Sequence, residues 1–118
     1  MTPVGKARPR VTRNGAFTPE KTVNAERLVA WACKKAMAGA RPLKGPLWLE
    51  VEAWFLPPKQ AASPYKTTKP DLDNILKLVG DALNKIAWHD DSQVIRASAW
   101  KGYSLDGEQG LTISFGSD

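Results

Sequence analysis

The sequence predicts an α+β domain of two layers: a mixed β-sheet with two helices on one face. Three observations carry this. Residues 46–56 alternate apolar and polar side chains, as a strand with one buried face does. Residues 71–87 space their apolar side chains three and four apart, as an amphipathic helix does. After Asp91 the period returns to two, giving two further strands. The 118 residues suit a single domain spanning 1–118, large enough to bury a core without disulfides or a structural metal.

The elements follow in order. Lys6–Gly15 reads KARPRVTRNG, with four basic residues and no acid. Asn14-Gly15 is a turn signal, so Val11-Thr12 and Ala16-Phe17 are expected to pair as a short hairpin. Thr18-Pro19-Glu20 begins a helix: Thr18 as N-cap, Pro19 in the first helical position, Glu20 at the positive helix end. The helix is expected to reach about Ala38, burying a stripe of Ala25, Leu28, Val29, Ala32 and Ala36. Gly39 and Pro42 stop it.

Pro46–Leu56 is a strand. Leu47, Leu49, Val51, Ala53 and Phe55 point one way, and Glu50 and Glu52 point the other. Trp48 and Trp54 share the glutamate face, so that face is expected to be partly covered. Pro57–Pro70 (PPKQAASPYKTTKP) has four prolines, three lysines and no acid. No helix or central strand tolerates that proline spacing, so a flexible basic loop is expected at 57–70.

Asp71–Ala87 is the clearest helix. Leu72, Ile75, Leu76, Val79, Ala82, Leu83 and Ile86 form its stripe, beside an i,i+4 ladder of Asp73, Lys77, Asp81 and Lys85. Leu78 lies off the stripe and is expected at a subunit interface. Val94–Trp100 and Gly110–Phe115 are expected to pair as an antiparallel hairpin around the Asp106-Gly107 turn.

Charge sharpens the functional question. The chain carries a net +5, but residues 1–69 hold thirteen basic and four acidic side chains, a net +9, and residues 70–118 hold a net −4. Five of the seven aspartates fall between 71 and 91. A wide basic surface suits a polyanion, and clustered carboxylates suit a hard divalent cation. One cysteine and one histidine build neither an internal disulfide nor a zinc site. No apolar run has the length of a membrane span, and Met1–Val4 leads into basic residues rather than a signal-peptide core. A cytoplasmic protein with no membrane partner is expected.

The sharpest feature is KPDLDNILK followed by WHDDSQV. Asp71 and Asp73 stand at the helix mouth, and Asp90-Asp91 comes about one helix length later. For the two pairs to meet, the chain after Asp91 must return alongside the helix, or a second subunit must supply one pair. Carboxylates so gathered hold a metal that polarises a phosphodiester, and Lys77, one turn after Asp73, is the candidate cation for developing negative charge. Each residue also has a structural reading. Asp71 is a possible N-cap, Asp73 and Lys77 a surface ion pair, and Asp90-Asp91 a polar turn before a strand. Asp81 reads as structural, and His89 is assigned no role.

KPDLDNILKLVGDALNKIAWHDDSQV, with KARPRVTRNGAFTP before it, closely resembles the RusA family of Holliday junction resolvases, phage-associated endodeoxyribonucleases. The resemblance implies a small α+β homodimer that binds four-way DNA junctions and nicks two strands symmetrically with Mg²⁺, Mn²⁺ being a substitute. It implies that Asp71, Asp73 and Asp91 are the metal-binding carboxylates, with Asp90 a further metal candidate and Lys77 the catalytic lysine. Arg8, Arg10, Arg13, Lys66 and Lys69 are the expected DNA-backbone contacts, which position the junction without reading bases. The rival classes are a non-catalytic basic DNA-binding protein and a metal-dependent hydrolase of small phosphates. The +9 segment disfavours the second, because a small substrate needs no wide basic footprint.

Overall fold

The computed structural model describes residues 10–11 and 19–118. The chain runs β1 (Arg10–Val11), α1 (Pro19–Met37), β2 (Leu47–Phe55), α2 (Leu72–Leu83), a single 3₁₀ turn (Asp91–Gln93), β3 (Val94–Tyr103) and β4 (Gly110–Ser117). Three long strands and the two-residue β1 make one mixed sheet in the order β1-β4-β2-β3. The α+β architecture is the expected one. Among the described residues no helix is long and apolar enough to cross a membrane.

β2 is central because it is the strand with most to bury. Leu47, Leu49, Val51, Ala53 and Phe55 are all buried against the helices. β4 pairs with it antiparallel from Leu47↔Ser117 to Trp54↔Gly110. β3 pairs with its other edge in parallel, from Leu47↔Val94 to Phe55↔Tyr103, with one irregularity after Leu47. The expected β3–β4 hairpin is therefore not formed. The chain leaves β3, crosses the end of β2 where the Ser104 amide donates to the Phe55 carbonyl (2.8 Å), and returns on the far side. β2 offers both neighbours a more apolar partner than they offer each other, and it takes the middle. β1 pairs with β4 (Arg10↔Thr112, Val11↔Leu111). The rest of the hairpin expected near Asn14-Gly15 lies outside the described residues.

α1 ends where its sequence says it should, at Met37, with Gly39 at φ +86°, a conformation that costs glycine nothing. Its buried stripe is Ala25, Val29, Cys33 and Met37. Leu28 and Ala36, expected inside, are exposed, and Trp31 is exposed under the Lys35 ammonium. Steps of four advance about 40° each around the helix, so the buried stripe winds away from the expected one and follows the face that meets α2 and the sheet. α2 ends four residues earlier than expected, at Leu83. Its cap residue Asn84 is extended and Lys85 has φ +71°, while the amides of Ile86 and Ala87 both turn back to the Leu83 carbonyl. Leu78 is buried in the core, not at an interface. The helix presents Ile75, Leu78, Val79, Ala82 and Leu83 inward, a stripe turned toward Leu78, while Leu72, expected inside, is exposed.

The second sheet face carries Trp48, Glu50, Glu52 and Trp54 at partly covered or exposed positions, as the alternation required. Trp54 meets Trp100 edge-on at 4.6 Å. Gly102 makes that contact possible, since a Cβ there would strike the Trp100 ring.

Candidate active site

β2, α2 and β3 form a βαβ unit, and its geometry decides which residues meet. The chain goes up β2, crosses through the 57–70 loop, comes down α2, and goes up β3 alongside β2. The start of α2 and the end of β3 therefore lie at one end of the domain. The end of α2 and the start of β3 lie at the other.

At the first end, Asp71 is the N-cap residue of α2. Its backbone is extended (φ −70°, ψ 148°), and its carbonyl accepts from the Ile75 amide at 3.2 Å, but its side chain caps nothing. Asp73 lies in the first helical turn. Both carboxylates are exposed, and neither has a hydrogen-bond or ion-pair partner among the described residues. Lys77 is exposed one turn further on and is not paired with Asp73 or Asp81. The bland readings of these residues, cap and ion pair, are thus not realised. Two unneutralised carboxylates at a helix mouth suit a divalent cation, which Mg²⁺ usually takes through one or two carboxylates plus water and phosphate oxygens.

The loop before Asp71 is docked on β3. Tyr65 bridges Gly102 antiparallel, and the Tyr103 amide donates to the Pro64 carbonyl at 2.8 Å. The Lys66 ammonium lies 5.1 Å from the Phe55 ring centre and 5.9 Å from that of Tyr103, a cation–π seat. The Lys101 ammonium donates to the carbonyls of Thr68 (2.8 Å) and Pro70 (2.7 Å). The Lys69–Pro70 peptide is cis, Pro70 is buried and Lys69 is exposed.

At the other end, Asp90 is a structural cap. Its side chain accepts from the Ser92 amide (3.1 Å), and Gln93 completes a capping box. Gln93 is a four-way clamp. Its Oε1 accepts from the amides of His89 (2.8 Å) and Asp90 (2.9 Å), and its Nε2 donates to the carbonyls of Leu43 and Gly45 (3.0 Å each). Asp91 accepts from Trp88 Nε1 at 2.8 Å. Trp88 is fully buried and packs edge-on against Phe115.

The two ends stay apart. Lys101, which touches the loop before Asp71, is seven residues along β3 from Val94, or about 23 Å of strand. What β3 carries back to Asp71 is Lys101, not Asp91. Among the described residues no three Asp, Glu, His or Cys side chains form a group able to hold a metal. Asp71 and Asp73 stand together at the mouth of α2, and Asp90 and Asp91 stand at the opposite end of the domain.

Of the basic candidates, Arg10 sits on β1, and Arg8 and Arg13 lie outside the described residues. Sequence reasoning passed over Lys101, Gln93 and Trp88. Two of them had a signal. Asp90-x-x-Gln93 has capping-box spacing, and Lys101 interrupts the apolar phase of β3 after Ala97 and Ala99.

Comparison with known proteins agrees with the sequence motif. The family described as "Endodeoxyribonuclease RusA" matches residues 1–114. A curated relative, the uncharacterized protein YqaN of Bacillus subtilis (strain 168), is 34% identical, across 86% of this chain and 82% of that protein. With DLDN at the mouth of α2, HDDSQ at the start of β3 and a family match over nearly the whole chain, this protein belongs to the RusA endodeoxyribonuclease family.

Proposed function

We propose that the protein is a Mg²⁺-dependent endonuclease that resolves four-way DNA junctions by paired symmetric nicks, Mn²⁺ serving as a substitute. The observation that supports this most is the pair of exposed carboxylates, Asp71 and Asp73, unpartnered among the described residues and beside a lysine-bearing loop docked on β3. A metal bound there would polarise the scissile phosphate and lower the pKa of a water. Asp71 and Asp73 would hold it. Lys77 offsets negative charge that develops on the phosphate or leaving oxygen. Lys69 and Lys66, with Arg8, Arg10 and Arg13, bind the phosphate backbone and orient the junction.

The same reading makes the protein a homodimer, as two coordinated cuts in a two-fold junction require. Among the described residues β3 is an edge strand, and Ile95 on it is 57% exposed. A groove of about 670 Å³ runs beside it, lined by Trp48, Glu50, Ile95, Arg96 and Ser98 among others. The docked loop already covers the edge at Lys101–Tyr103, leaving the stretch before it for a partner. If two β3 strands pair antiparallel about Ala97, the residue six before it faces the residue six after it. The docked loop holds that edge at Lys101–Tyr103, so the partner subunit's Asp91 would end against the loop that leads to Asp71. A second copy would thus supply the third carboxylate that one chain leaves at its far end.

The test is junction cleavage by the purified chain with Mg²⁺, repeated with Asp73→Asn. Cleavage lost in the variant supports the reading, and junction binding without any cutting by the wild type leaves only a DNA-binding protein. Mixing Asp73→Asn with Asp91→Asn subunits tests the shared site. Each variant alone is inactive, but their heterodimer regains one intact site and nicks one strand. No recovery would mean that each chain builds its own site.

A further inference from the structure

We infer that Lys101 is a positioning residue for the cutting reaction, holding the Thr68–Pro70 backbone and thereby setting where Asp71 stands. The inference rests on the nuclease reading of Asp71 and Asp73. Lys101 lies on β3 opposite Ala53, whose side chain is fully buried, and Lys101 itself is half-buried. Taking an ammonium out of water is costly unless it is paired. Among the described residues no carboxylate pairs with Lys101. Its two partners are main-chain carbonyls, Thr68 at 2.8 Å and Pro70 at 2.7 Å.

Both bonds are charge-assisted and short. They fall on either side of Lys69, and the second is to the residue directly before Asp71. A side chain needed only to fill space at this point in the sheet would be apolar. A cation donating to two carbonyls of one irregular segment fixes that segment instead. The Lys66 amide, at 3.4 Å from the Lys101 carbonyl, fastens the same residue to the loop from its backbone side. Lys101 is thus the point at which the rigid sheet is coupled to the mouth of α2. Asp71 needs that coupling more than Asp73 does, because Asp73 is already fixed by helical geometry.

The experiment compares wild type, Lys101→Met and Lys101→Arg in the full chain. Four quantities are read: melting temperature, junction binding in EDTA, single-turnover cleavage across a Mg²⁺ series, and amide exchange over residues 64–75. Lys101→Met is expected to remain folded and to bind junctions as wild type does. Its amides around 68–71 exchange faster, and its cleavage at saturating Mg²⁺ falls about 100-fold, the scale expected when a reacting group is misplaced by about an ångström. Lys101→Arg, which still donates, recovers part of the rate. Should Lys101→Met not fold, Lys101→Gln takes its place with the same expectations. Wild-type cleavage by the Met or Gln variant overturns the inference, as does unchanged exchange over 68–71. A wild-type chain that never cuts sinks the nuclease reading instead. The exchange arm then still decides whether Lys101 holds the segment before Asp71.

Discussion

The indole nitrogen of Trp88 donates to Asp91 Oδ1 at 2.8 Å, so a carboxylate at the domain surface is aimed by a ring buried in the core. Trp88→Phe keeps most of the ring packing against Phe115 and removes the donor. The expected cost is about 1–2 kcal/mol in stability. If Asp91 serves a metal, cleavage falls further than stability explains, because Asp91 loses its fixed orientation. A denaturant melt alongside junction cleavage separates the two effects.

Asp71 begins α2 without capping it. Asp71→Asn is therefore expected to leave stability within about 0.5 kcal/mol of wild type, as for a surface change away from any buried feature. Junction binding is kept, or tightened by the loss of a negative charge, while cutting is abolished. A large drop in melting temperature would restore the capping role.

Gln93 ties the 3₁₀ turn to the segment before β2 through four hydrogen bonds. Gln93→Ala strands two amides and two carbonyls, some of them open to water. The expected loss is about 1–3 kcal/mol. Faster amide exchange at His89 and Asp90 is the local signature to measure.

Cys33 is fully buried on α1, and burial pushes its thiol from 9.0 up to about 11. Between those values the unfolded chain has given up this proton and the folded chain keeps it. Stability that is complete below pH 9 is therefore lost as pH climbs toward 11. Cys33→Ala is expected to flatten this alkaline slope, seen in melts taken across that range. In the folded wild type, alkylating reagents at neutral pH should react with Cys33 slowly, since the thiolate is the nucleophile.

The fold class and both helices were legible because alternation in β2 and the 3–4 spacing in α2 are strong local signals. Strand order was not. Whether β3 pairs with β4 or with β2 depends on which strand has most to bury, a comparison across the whole chain. The helix-mouth carboxylates were legible from Pro70, Asp71 and Asp73. The separation of Asp91 from them was legible only as a choice, because it turns on the direction of β3. Lys101 escaped notice because its partners are backbone carbonyls 31 and 33 residues away, which no side-chain pattern announces.

The crossed path by which β4 reaches the far edge of β2 bears on how the chain fares during synthesis. Until β4 emerges, β2 has no partner along the side from Leu47 to Trp54, although α1, α2 and β3 have all been made. That edge is long, apolar on one face and able to recruit strands from other chains. Arrested or truncated products ending before Gly110 are expected to aggregate. Chains that extend through Ser117 close the sheet with their own final strand.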